Sequence, residues 1–146
     1  YFFDLASHQL DFLDYLLGPI ISAAGHTHNQ AGLYAAEDAV AASFAFASGV
    51  LGNGTWVFAA DRRQDQIELI GDKGRLLFST FDFAPIELST AVGTQTFDYP
   101  PPQHVQQALV QTIVDALLGR GECPSTGESA ARTSRIMDQI VHGHAY

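Results

Sequence analysis

A chain with one cysteine cannot build a disulfide framework, and Cys123 is the only one here. It stands in Gly121-Glu122-Cys123-Pro124 with no basic neighbour close in sequence to hold it as a thiolate, so it reads as inert. Basic residues are also scarce. Seven Lys and Arg stand against sixteen Asp and Glu, a net charge of −9, which argues against a phosphate track or an anionic membrane surface as partner. No apolar run is long enough to span a bilayer, and no secretory leader is evident, so the expected compartment is the cytoplasm. A Gly-x-Gly-x-x-Gly turn between strand and helix is missing too. Gly52-Asn53-Gly54 lacks both the third glycine and a following helix, and reads as a turn or bulge. What remains is globular: 146 residues, 47% apolar and 16% charged, the size of a single domain with a real core.

The richest stretch is the first, a helix expected over Tyr1 to Leu17. Four residues make slightly more than one turn, so Asp4 and His8 share a face, which Asp11 and Tyr15 extend. Leu5, Phe12 and Leu16, flanked by Leu10, Leu13 and Leu17, form an apolar stripe on the other side. Gly18-Pro19 stops the helix. A carboxylate one turn from an imidazole can fix its tautomer and make an acid/base unit. The same spacing also fits a helix-dipole Asp followed by a solvated His, and spacing alone leaves both readings open.

Strands follow. Ile20 to Asn29 is the first, with His26 and His28 on one face; two imidazoles would need a third ligand to hold a metal, and none lies near in sequence, so no metal site is expected. After a loop over 29–37, a strand from Asp38 places Val40, Ala42, Phe44 and Phe46 on one side. Ser48-Gly49 predicts a hairpin into a strand through Thr55 to Ala60. Arg62 and Arg63 punctuate the series, either as solvated loop charges or as hydrogen-bond donors to a substrate. Two more hairpins are expected: 66–70 with 75–80 around Asp72-Lys73-Gly74, and 85–90 with 94–99 around Gly93. Pro100-Pro101-Pro102 leads to a helix over 103–118, with His104 at its start and Val105, Leu109, Ile113 and Leu117 as a core-facing stripe. Ser125-x-x-Glu128 reads as a capping box for a last helix ending near His142. His142-Gly143-His144 reads as its frayed end.

Helix, antiparallel strand series and two helices make an α+β fold: a large, open, mostly antiparallel sheet with helices packed on one face. The uncovered face needs another domain or another copy, and Ala42, Phe44, Phe46 and Trp56 are the expected contact residues.

Tyr1-Phe2-Phe3-Asp4-Leu5-Ala6-Ser7-His8-Gln9-Leu10-Asp11, with Gly71-Asp72-Lys73-Gly74 and Glu128-Ser129-Ala130-Ala131-Arg132, resembles the second domain of the glucose-fructose oxidoreductase and inositol dehydrogenase (Gfo/Idh/MocA) family. That resemblance implies a glyceraldehyde-3-phosphate dehydrogenase-like C-terminal domain over 1–146, for substrate binding and oligomerisation through the open sheet. It also implies NAD or NADP bound mainly by a nucleotide-binding Rossmann domain that this chain does not contain. A sugar or polyol hydroxyl would give up its proton to His8, with Asp4 orienting it, and Arg62, Arg63 and His104 would bind substrate. The usual lysine partner belongs to the nucleotide half; the single lysine here, Lys73, sits in a hairpin turn. By itself the chain would catalyse nothing. The competing reading is a non-catalytic domain for small-ligand binding or assembly, and a zinc hydrolase built on His26 and His28 is a third.

Overall fold

The computed structural model describes residues 1–143, so His144 lies outside the described residues. The α+β class is as expected, and among the described residues seven antiparallel strands divide into sheets of three and four within two compact units. Tyr1–Asp61 and the segment from Glu122 form the first unit, and Arg62–Gly121 the second.

In the first unit a π-helical turn, Phe2–Ala6, runs into α1 (Ser7–Leu17). Gly18, at φ 92°, ends that helix in a conformation β-carbon-bearing residues avoid. Strands β1 (Ile20–His28), β2 (Ala39–Phe46) and β3 (Leu51–Val57) make a meander in that order. Its second hairpin turns at Gly49, φ 87°, as the Ser48-Gly49 pair predicts. The strand expected to begin at Thr55 starts at Leu51, so Gly52 and Gly54 are mid-strand residues rather than a turn. They serve side chains: a Cβ on Gly52 would stand 2.2 Å from the Phe44 ring, and one on Gly54 2.5 Å from Trp56 Cη2. Backbone hydrogens there make room for two aromatic rings.

The last helix, α3 (Gly127–His142), lies on β1, and α1 packs against α3. Its capping box is one residue later than the sequence pattern suggested. Thr126 Oγ1 accepts from Ser129 N at 3.2 Å, and Ser129 Oγ accepts from Thr126 N at 3.0 Å. Both hydroxyls satisfy amides that the first turn leaves open. Helix and strand approach so closely at Gly25 that a Cβ would sit 2.7 Å from Ile140 Cγ2. Phe2, Leu10, Val40, Ala42, Phe44, Phe46, Ile136, Met137 and Ile140 form the core between sheet and helices. Fully burying a side chain such as Phe2 or Leu10 is worth about 1.5–3 kcal/mol.

The loop 29–38 joining β1 to β2 is built by two side chains. Asp38, 1% exposed, accepts from Gln30 N and Ala31 N, each at 2.7 Å, and those amides hold its carboxyl below the usual carboxylate range against the opposing effect of burial. Asn29 accepts from Gly32 N at 2.8 Å and donates to the Tyr34 carbonyl at 2.5 Å.

In the second unit β4 (Ile67–Gly71), β5 (Gly74–Phe78), β6 (Ile86–Thr90) and β7 (Gly93–Phe97) pair in sequence order, within about two residues of the expected hairpins. Asp65 anchors the chain beside β5 by accepting from Phe81 N at 2.6 Å and from the Ser79 hydroxyl. The helix α2 (Gln107–Leu117) begins later than expected and buries none of its residues. Val105, Leu109, Ile113 and Leu117, expected to face a core, are exposed. An amphipathic pattern records that a helix has an apolar side, and here the large apolar residues of that side stay exposed.

A candidate acid/base groove beside the first helix

The first helix presents its polar side to α3. Thr133 Oγ1 donates to Asp11 Oδ1 at 3.0 Å, and Arg132 Nη2 donates to Asp14 Oδ2 at 2.8 Å. Asp14, 6% exposed, spends its other oxygen on the amide of Ile20 at 2.9 Å. One carboxylate thereby ties α1 to the start of β1 and to α3, and its hydrogen bond raises the Arg132 guanidinium above its ordinary range. On the other flank Trp56 Nε1 donates to Gln9 Oε1 at 2.5 Å, so the helix is fixed to β3 as well.

These ties leave an open groove of about 370 Å³ between α1 and the start of α3. Its polar lining is Ser7, His8, Asp11, Tyr15, Ser125, Thr133 and Ser134; Phe12, Ala130 and Met137 supply apolar surface. Hydroxyls, a carboxylate and an imidazole around apolar carbon suit a polyhydroxylated ligand, whose hydroxyls donate and accept while its C–H faces pack.

Of the residues singled out from sequence, His8 lines this groove, with Asp11 and Tyr15 of the same helix face. Asp4 is exposed, lies in the π-helical turn just before, and does not line it; its main-chain carbonyl accepts from the Ser7 hydroxyl at 2.6 Å. Arg62, Arg63 and His104 belong to the second unit. There Arg63 pairs with Asp82 at 2.7 Å, and His104 is an exposed turn residue whose carbonyl accepts from Gln107 N at 3.1 Å. His26 and His28 are exposed on β1, and among the described residues no group of three or more His, Cys, Asp or Glu is placed to hold a metal.

The expectation that Ala42, Phe44, Phe46 and Trp56 form an open contact face is overturned. The first three are at most 8% exposed beneath the helices, and Trp56, half-buried, meets Phe2 edge-on with ring centroids 5.2 Å apart. Alternation identifies which residues share a face, and the face with the larger apolar side chains is the one helices cover. Uncovered instead is the opposite face: Ala24, His26, Ala41, Ser43, Asn53 and Thr55.

Asp14, Gln9 and Thr133 were not legible as site residues, because their partners lie 118, 47 and 122 positions away. The late Glu128-Ser129-Ala130-Ala131-Arg132 run was the one trace of the Asp14 partner.

A model of the GFO/IDH/MocA C-terminal domain matches residues 1–77. The chain belongs to the Gfo/Idh/MocA family. Oxidoreductase P35 of Formosa agariphila is 31% identical over 140 residues, which cover 94% of this chain and 42% of that protein. An oxidoreductase from Agrobacterium radiobacter, solved with NAD+, L-tartaric acid and magnesium, superposes with a TM-score of 0.80 at 17% identity, over 96% of this chain and 45% of its own. UDP-N-acetylglucosamine 3-dehydrogenase from Acidithiobacillus ferrooxidans has a TM-score of 0.80 at 14% identity, over 94% and 44%. Those two likenesses show a shared fold. The chain spans less than half the length of each of these relatives. Among the described residues every strand pair is antiparallel, and no glycine-rich turn leads a strand into a helix.

Proposed function

We propose that this chain is the substrate-binding part of a longer NAD(P)-dependent oxidoreductase that acts on a secondary hydroxyl of a sugar or polyol. The observation that carries the reading is His8, on the first turn of α1, lining a groove whose other polar groups are hydroxyls and a carboxylate. A nicotinamide held by the remainder of the protein supplies the hydride acceptor. His8 takes the hydroxyl proton, Asp4 at the adjoining turn orients imidazole or substrate, and Asp11 and Tyr15 contribute hydrogen bonds along the groove. Arg62, Arg63 and His104 are proposed as substrate-binding residues. The names of the relatives support the class: one was solved with NAD+ and a hydroxy acid, another is a dehydrogenase of a nucleotide sugar.

Assembly as a homo-oligomer is part of the same reading, through the exposed face of β1–β3, where small side chains permit close sheet-on-sheet packing. The compartment proposed is the cytoplasm, in keeping with a sequence that carries one cysteine and so no internal disulfide framework. No helix among the described residues is long and apolar enough to cross a membrane.

The test is His8→Ala in the full-length protein. A positioned general base contributes about 10²–10⁴-fold, so turnover falls by at least about a hundredfold while the dissociation constant for the nicotinamide cofactor changes less than about twofold. Full turnover in that variant overturns the assignment.

A further inference from the structure

We propose that Trp56 is a positioning residue for the Asp4–His8 pair, acting through the π-helical turn that separates them. The inference rests on the catalytic reading above and adds a residue outside the groove. Asp4 lies inside the π turn Phe2–Ala6, whereas His8 lies in the first turn of α1, so their relative orientation is set by the junction between two kinds of helix. A π turn winds more slowly than an α turn, and rewinding it as α-helix would swing Asp4 around the axis by several tens of degrees relative to His8. Such turns persist where surrounding contacts hold them.

Trp56 holds both sides of this junction. Its ring meets Phe2, the fully buried first residue of the π turn, at a centroid distance of 5.2 Å and an interplanar angle of 78°. Its indole N–H donates to Gln9 Oε1 at 2.5 Å, one residue past His8. A single rigid bicycle therefore spans from before Asp4 to after His8. The strand beneath is shaped for it: at Gly54, two residues earlier on the same face, a Cβ would stand 2.5 Å from Cη2 and 2.9 Å from Cζ3 of the indole. Any side chain there would push the ring off the sheet and away from one or both of its helix contacts.

Three variants of the full-length enzyme test this. Trp56→Phe keeps an aromatic ring and removes the donor; Gly54→Ala keeps the donor and displaces the ring; Gln9→Leu removes the acceptor. Displacing a catalytic group by about 1 Å costs up to about a hundredfold, so a fall in kcat of about tenfold is expected for each, with KM for the nicotinamide changed less than about twofold. In a His8→Ala background the same substitutions leave the residual rate within about twofold, because the group they orient is gone. A crystal structure of Trp56→Phe should show the Phe2–Ala6 turn rewound. Wild-type kcat in all three variants overturns the proposal, as does an equal proportional loss with and without His8, which is the mark of a merely structural role. If His8→Ala itself keeps full turnover, the catalytic reading fails. The positioning claim is then decided by the Trp56→Phe structure, where an unchanged π turn refutes it.

Discussion

Replacing Gly25 by Ala places one methyl group in the tightest part of the α3–β1 contact. The added Cβ would stand 2.7 Å from Ile140 Cγ2, 2.9 Å from the Ile140 carbonyl oxygen and 3.1 Å from that of Ala41. Ile140 is 1% exposed and can yield only by moving α3 or abandoning its rotamer. Overpacking of this kind costs about 1–3 kcal/mol. Removing a glycine from the unfolded chain returns about 0.4–1 kcal/mol, leaving a net loss of about 1–2 kcal/mol. Urea unfolding followed by fluorescence measures it directly, because Trp56 is the only tryptophan and belongs to the same unit as Gly25. With a slope of about 2 kcal/mol/M, the midpoint falls by about 0.5–1 M with the slope unchanged. Ile140→Ala by itself costs about 3 kcal/mol. In that background Gly25→Ala should cost less yet remain destabilising, since both carbonyl oxygens are still in the way. A midpoint for Gly25→Ala equal to or above that of the wild type would refute the close-approach argument, and complete rescue by Ile140→Ala would show that the main chain is not part of it.

Two other substitutions probe the ties around α1 and the loop. Asp14→Ala removes the acceptor from the Ile20 amide and from Arg132; with Arg132 a third exposed, a loss of about 3 kcal/mol, the low end for breaking a buried pair, is expected in urea titrations, and less than about 1 kcal/mol would discount the pair. Asp38 has its folded-state proton affinity lowered by the Gln30 and Ala31 amides. The stability it confers is thus fully present above the unfolded carboxyl's ordinary range and drains away as pH falls through the lowered folded value. Thermal melts between about pH 6 and about pH 3 should show this acid limb, and Asp38→Asn should melt lower at the neutral end with a shallower limb. Identical pH slopes in the two proteins would contradict it.

Much of the local structure was legible because its causes are local. Turn residues at Ser48-Gly49, Asp72-Lys73-Gly74 and Gly93 fixed the hairpins, and Gly18-Pro19 fixed the end of α1. The capping box shifted by one because Thr126 and Ser129 satisfy each other as well as Ser125 and Glu128 would have done, and sequence cannot rank two overlapping candidates. The covered sheet face differs from the expectation, although the larger apolar side chains of Val40, Phe44 and Phe46 against Ala41, Ser43 and Ala45 mark it. The π turn leaves no mark in residue types, and the Trp56–Gln9 tie connects positions 47 apart. His8 could be placed on a face with Asp11 and Tyr15 because one helix carries all three; the hydroxyls of Ser125, Thr133 and Ser134 that share the groove come from the far end of the chain.

The connection between β1 and β2 has its path dictated from its two ends. Asp38 grips two amides and Asn29 a third, together with a carbonyl, while Leu33, Ala35 and Ala36 face solvent and take no part. Frame and display are thus separable. Relatives could exchange those outward side chains freely, altering what the surface offers to its surroundings, without redrawing the track on which it is mounted.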